Sequence, residues 1–267
     1  MDVSVTERPT QHVRSADGTP IAYHRFGTGR PVVFVGGALA TAAAAAPLAA
    51  AFARAGLQGV TYDRRGRGAS GDTAPYAPER EAEDLHAVID AVGGDAVVLG
   101  HSAGAVLALF AAAGGVPVTH LFLSEPPLRF GRAEPAADLA TRLQALVDQG
   151  HDEQAVRLFL GEAVGLPEQA VEALRASPAF AEMLPLARTT AYDHRLVASL
   201  STPTAAMLAV GVPTTILRGD PTMPLLVTAA ERLAAAMPGA ELVVVPESRD
   251  HGVDPAGTVR EVQARIG

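Results

Sequence analysis

The chain has 267 residues, 48% of them hydrophobic, enough apolar material for one sizeable core or a core with a large insertion, and this excludes a disordered protein. Its formal net charge is −8, from 29 acidic and 21 basic residues, and every basic residue is an arginine. The densest basic group, Arg64, Arg65 and Arg67, sits in a glycine-rich turn rather than a basic stripe, so nucleic-acid binding is not expected. Cysteine is absent, which removes disulfides and cysteine metal sites from consideration.

Two uncharged stretches, Val32 to Ala53 and Ala96 to Val118, are long enough to imitate membrane spans. Glycines and Pro47 interrupt the first and a serine turn the second, so each reads as a strand followed by a buried helix, and no membrane association is expected. The N-terminus carries Asp2, Glu7 and Arg8 without an apolar run and does not read as a secretory signal; a cytoplasmic location is the expectation.

In chain order, Gln11 to Arg14 and Thr19 to Arg25 alternate on either side of Ala16-Asp17-Gly18 and predict an antiparallel hairpin. Pro31 to Val35 is fully apolar, as expected of a central strand covered on both faces. It runs into Gly36-Gly37-Ala38, where glycines allow a close approach that offers the Ala38 amide as a hydrogen-bond donor, and then into a helix from Thr41 to Ala55. Leu57 to Tyr62 is the next strand. The turn Asp63-Arg64-Arg65-Gly66-Arg67-Gly68 has no acid–base pair at catalytic spacing and reads as structural. Glu79 to Val92 is an amphipathic helix with Leu85, Val88, Ile89 and Val92 on its apolar face and His86 on its solvated side.

Asp95 to Leu99 predicts a strand, Ala103 to Ala113 a helix without a charged face, and between them stands Gly100-His101-Ser102-Ala103-Gly104. Small residues two before and two after the serine suit a strand that reverses sharply into a helix. Such a turn leaves Ser102 exposed at its apex and the first free helix amide, that of Ala103, facing the place where an oxyanion would form. Val118 to Ser124 is a further strand, ending in Glu125-Pro126-Pro127. The interval from 128 to 208 shows at least four helical patterns and no strand: Leu139, Leu143 and Leu146; Val156, Phe159 and Leu160; Pro167 to Arg175; and a helix opened by Ser177-Pro178 that Pro185 kinks or ends. It is too long for a loop and is expected to be a helical lid over the carboxyl ends of the strands. Val212 to Arg218, a helix from Val227 to Met237, Glu241 to Val245 and a helix from Pro255 to Ile266 complete the alternation, which indicates a mostly parallel α/β sheet with helices on both faces.

A serine hydroxyl is a weak nucleophile at neutral pH and needs a base that is itself oriented by an acceptor. Of the eight histidines, His251 alone follows the carboxyl end of a strand in a glycine-containing loop. His101, beside Ser102, is expected to point elsewhere on the turn, His120 lies at the wrong end of its strand, and His12, His24, His86, His151 and His194 lie in the hairpin, on a helix face or in the lid.

The glycine pair after a central strand, the Asp63 to Gly68 turn, Gly100-His101-Ser102-Ala103-Gly104, the helical insertion and the late Asp250-His251-Gly252 together resemble the α/β-hydrolase fold superfamily over nearly the whole chain. The resemblance implies a core of residues 1–127 and 209–267, a lid of residues 128–208 inserted after the sixth strand, Ser102 as nucleophile, His251 as base, and the amides of Ala38 and Ala103 as an oxyanion hole. Gly36 stands where many relatives carry a histidine. The acid has two candidates. The Gly-x-x-Asp spacing of many relatives, counted from Gly219, reaches Thr222, while the available aspartate, Asp220, comes two residues early. Other relatives place the acid one strand after the nucleophile, where Glu125 stands, and Glu125 is preferred with Asp220 as the alternative.

The expected function is a serine hydrolase of a small, largely apolar ester, thioester or lactone, acting through an acyl-enzyme with no metal or organic cofactor. The alternative is a lyase, C–C bond hydrolase or cyclase using the same site; a ligand-binding protein without turnover is the third class. Substrate identity and oligomeric state are open.

Overall fold

Ala16-Asp17-Gly18 turns the chain through bonds from the Ser15 amide to the Thr19 carbonyl and from the Gly18 amide to the Ser15 carbonyl, while the Asp17 carboxylate accepts from the Thr19 amide. This hairpin opens a computed structural model that describes residues 9–267; Asp2, Glu7 and Arg8 lie outside the described residues. In chain order follow β1 (Gln11–Arg14), β2 (Pro20–Phe26), β3 (Pro31–Val35), α1 (Ala46–Arg54), β4 (Gln58–Tyr62), α2 (Pro78–Val92), β5 (Ala96–His101), α3 (Ala103–Ala113) and β6 (Val118–Ser124). The eight-stranded sheet has the order β1-β2-β4-β3-β5-β6 and is completed by β7 (Thr214–Gly219) and β8 (Glu241–Val245). Among the described residues only the β1–β2 and β2–β4 pairs are antiparallel.

Alternation along the central strands builds a core on each face, because successive side chains of a strand point to opposite sides. Val33, Val35 and Val98 face one way and pack with Leu85, Val88 and Ile89 of α2 and Val106 and Leu109 of α3. Val32, Val97 and Leu99 face the other way and meet Leu48 and Phe52 of α1 together with Val259 and Val262 of the C-terminal helix. Helix α3 is apolar all round, as its lack of a charged face predicts, since the sheet covers one side and neighbouring helices the others.

Between β6 and β7 lie α4 (Leu139–Asp148), α5 (Asp152–Leu158) with a wider turn at Phe159–Val164, α6 (Glu168–Arg175), α7 (Pro178–Met183), a 3₁₀ segment Leu184–Thr189, α8 (Thr190–Ser199) and the short α9 (Ala205–Leu208). Two small apolar clusters join these helices to the turn after β3: one around Val156, Leu160 and Phe180, one around Leu139, Leu143 and Phe159, with Leu39 packed against both. Helices α10 (Pro224–Ala236) and α11 (Pro255–Ile266) close the chain.

Two elements depart from expectation. The predicted helix Thr41 to Ala55 is a 3₁₀ turn, Ala42–Ala45, followed by α1, with Pro47 in the first turn of α1, where its missing N–H costs nothing. Helix α8 was not among the predicted patterns. Its buried face carries Thr190, Asp193 and His194 beside Ala191 and Leu196, so no apolar stripe marks it.

Candidate active site

The serine turn follows from sterics. A β-carbon on Gly100 would lie 2.4 Å from the Gly104 carbonyl oxygen, and one on Gly104 would lie 2.1 Å from that of Val35, so neither position admits a side chain. Ser102 between them takes φ 54°, ψ −124°, a left-handed conformation that costs a non-glycine residue about 1–3 kcal/mol. Glu125 and His251 also have positive φ, 49° and 64°. Three left-handed non-glycine residues meeting at one point is the distribution of strain expected where the surrounding fold over-determines a reactive geometry.

Parallel register brings the parts together. His101 at the end of β5 pairs with Ser124 at the end of β6, so the next residue of each strand, Ser102 and Glu125, emerges beside the other. The loop after β8 delivers His251. Its Nδ1 lies 2.5 Å from Glu125 Oε2 and its Nε2 3.0 Å from Ser102 Oγ. A carboxylate only accepts, so Nδ1 carries the proton, and Nε2 accepts from the serine hydroxyl. The second oxygen of Glu125 accepts the Gly219 amide at 2.9 Å, an approach that needs glycine there, since a β-carbon would sit 2.1 Å from the Ser248 carbonyl oxygen. Glu125 is buried at 1% side-chain exposure. Burial opposes its ionisation, but the bonds from His251 and the Gly219 amide outweigh it and hold the carboxyl below its ordinary value.

Asp220 is not brought to His251. It lies past the end of β7, exposed, with its amide bonded to the Ser248 carbonyl, because the chain leaves the strand before reaching the base. Thr222, at the spacing where an acid is sought, lines the cleft beside His251. His101 does not point away from the site as expected. Its Nδ1 lies 3.2 Å from Ser124 Oγ and its ring packs on that of His251 at 4.7 Å. Desolvation first and the His251 ring second push His101 down to about 3, so it stays neutral. His120 is buried elsewhere, against Thr215 and Phe122.

The amides of Ala38 and Ala103 make no hydrogen bond with any described residue, the latter as the first residue of α3. Both residues line, with Ser102 and His251, a largely enclosed cavity of about 70 Å³, which Phe159, Val164 and Val197 of the helical insertion help to wall. On its other side Ser102 opens on a wider cleft of about 710 Å³ lined by Leu39, Phe159, Leu160, Leu174, Met183 and Met223. Among the described residues no group of three His, Asp or Glu side chains is placed to hold a metal ion, and no helix is long and apolar enough to cross a membrane.

Arg64, Arg65 and Arg67 read from sequence only as a structural turn, which does not reveal their partners. All three are buried and ion-paired: Arg64 with Glu81 and Asp193, Arg65 with Asp84 and Asp17, Arg67 with Asp193. A signal for half of this was present. Glu81 and Asp84 lie one turn before Leu85 and Val88 on the apolar stripe of α2, where an acid is buried only if a cation meets it.

A strand–serine–helix turn, a histidine between that serine and a carboxylate, and two unpaired amides on a mostly parallel sheet define the class of the protein as an α/β-hydrolase. The chain belongs to the Alpha/beta hydrolase family, whose pattern it matches over residues 32–261. It is similar to an alpha/beta hydrolase from Sphaerobacter thermophilus, with 43% identity over 94% of this chain and 98% of that one and a TM-score of 0.89. A hydrolase from Pseudomonas aeruginosa is 24% identical over 96% and 95% of the two chains, TM-score 0.69. An esterase from Exiguobacterium antarcticum is 21% identical over 95% and 97%, also at TM-score 0.69.

Proposed function

We propose that this hydrolase cleaves a small, largely apolar ester, thioester or lactone through an acyl-enzyme on Ser102. The observation that carries the reading is the unbroken relay from Ser102 Oγ to His251 at 3.0 Å and from His251 to the buried Glu125 at 2.5 Å. As Ser102 Oγ attacks the carbonyl carbon, its proton passes to His251 Nε2, and Glu125 stabilises the imidazolium through Nδ1–H. The tetrahedral oxyanion is received by the amides of Ala38 and Ala103, donors fixed before the charge develops. The imidazolium then protonates the departing alcohol or thiol, and a water activated by the same nitrogen releases the acid. The apolar walls of the cavity and the cleft support a largely apolar substrate, one substituent enclosed and the other directed along the open cleft.

The test is a series of p-nitrophenyl esters of increasing acyl length. A nitrophenolate burst equal to the enzyme concentration, absent in Ser102→Ala, is expected, with the preferred chain length measuring the cavity. No burst and no turnover from a folded protein would overturn the ester reading and turn the search to substrates with an acidic C–H.

A further inference from the structure

The Gly36-Gly37-Ala38 turn rests on buried charge. Arg67 Nη1 donates to the Gly37 carbonyl at 2.8 Å, while Nη2 of the same guanidinium binds Asp193 Oδ1 at 2.6 Å. Arg64 adds a second bond to Asp193 Oδ1, at 2.9 Å, and its other face is held by Glu81 through two bonds of 2.6 Å. Arg64, Arg67, Glu81 and Asp193 are all 2% exposed or less. The charges balance, two cations against two carboxylates, while Arg67 Nε and Asp193 Oδ2 make no hydrogen bond with a described residue. Asp193 belongs to α8 of the helical insertion, 126 residues along the chain from Arg67.

Gly37 C=O and Ala38 N–H are the two ends of one planar trans peptide and point in opposite directions. Whatever fixes the carbonyl therefore aims the amide. The turn also lies against the nucleophile, since a β-carbon on Gly37 would be 3.1 Å from Ser102 Cβ. We propose that Arg67, held by Asp193, is a positioning residue: by gripping the Gly37 carbonyl it turns the Ala38 amide into the reaction centre, so the oxyanion site is complete only when α8 is seated. This rests on the hydrolase reading above. A positive guanidinium on the carbonyl also polarises the peptide and makes its N–H a stronger donor. Val197 and Ala198 of the same helix line the cavity beside Ser102, so α8 both holds Arg67 and borders the space the substrate fills.

The test compares wild type, Arg67→Lys and the charge-balanced double variant Arg67→Met/Asp193→Asn, for ester hydrolysis and for inhibition by a trifluoromethyl ketone, whose adduct on Ser102 places an oxyanion in the same site. For the double variant kcat should fall about 10- to 100-fold with KM moved by no more than about threefold, and Ki for the ketone should rise by about the factor that kcat/KM falls. Arg67→Lys keeps the charge and one donor for the Gly37 carbonyl and should recover much of the loss; where the double variant does not fold, Arg67→Met carries the same kcat and Ki comparison by itself. Wild-type kcat and ketone affinity in the folded variants, or a loss of kcat with unchanged ketone affinity, would overturn the positioning role. Failure of a fluorophosphonate to label Ser102 in the wild type would overturn the hydrolase reading instead, and this inference with it, which distinguishes the two failures.

Discussion

Two regions of this molecule remove charged groups from water, and they do it differently. In the arginine cradle, Arg64, Arg65 and Arg67 are matched by Glu81, Asp84, Asp17 and Asp193, and the cradle joins the serine turn's neighbour loop, α2 and the helical insertion. In the Ser102 constellation one carboxylate is buried beneath a histidine that keeps 26% of its side chain exposed, and the backbone of all three residues is left-handed. Ion pairing holds the first region together, although Arg67 Nε and Asp193 Oδ2 make no hydrogen bond with a described residue. The second leaves the amides of Ala38 and Ala103 without a hydrogen bond to any described residue, and in the proposed mechanism reactivity comes from that incompleteness. The contrast predicts that substitutions in the second region abolish chemistry at little cost in stability, while those in the first lower stability and act on chemistry only through position.

The largest expected effect is that of Ser102→Ala, which should remove ester turnover by about 10⁴-fold or more with a urea midpoint no lower than wild type, since relieving the nucleophile costs the fold nothing. A residual rate close to wild type would break the comparison at its strongest point. Next come the two candidate acids. Glu125→Gln should lower kcat by about 10³- to 10⁴-fold by disturbing the histidine tautomer, while Asp220→Asn, exposed and unconnected to His251, should stay within about threefold. Equal and mild losses in both would remove Glu125 from its role.

In the cradle, Glu81→Ala strips two bonds from a buried guanidinium and should cost about 3–5 kcal/mol in urea unfolding. Activity per folded molecule should change far less than in Glu125→Gln; the reverse pattern would mean that the two regions are not separable.

The smallest effect concerns pH. His101 is pushed from an ordinary 6.5 down to about 3, so between those values the unfolded chain binds the proton that the folded chain refuses. Its contribution to stability is therefore complete above about pH 6.5 and lost progressively as pH falls toward 3. His101→Gln should flatten the fall of the urea midpoint between about pH 7 and pH 5, by an amount on the order of 1 kcal/mol. An unchanged slope would show that the ring is solvated in the folded protein.

The fold was legible because its elements are local: the hairpin at Asp17-Gly18, strands with their own apolar runs, and a helix α3 without a charge each declare themselves within a dozen residues. Gly100, Ser102 and Gly104 were legible for the same reason, as the steric demand of the turn is written into adjacent positions. The choice between Glu125 and Asp220 was not, because both end a strand beside a proline and only the register of β5, β6 and β7 decides which carboxylate meets the histidine. Asp193 was the least legible. It sits in a helix with no apolar stripe, and its meaning depends on Arg64 and Arg67 more than 120 residues earlier, with no local pattern to couple them.

The central claim is an acyl-enzyme on Ser102, and it is tested most directly by quenching the p-nitrophenyl ester reaction in acid during the burst, digesting the protein and weighing its peptides. The account predicts the acyl mass on the peptide carrying Ser102, in an amount equal to the burst and absent from Ser102→Ala. Turnover without an acylated Ser102 peptide would contradict it.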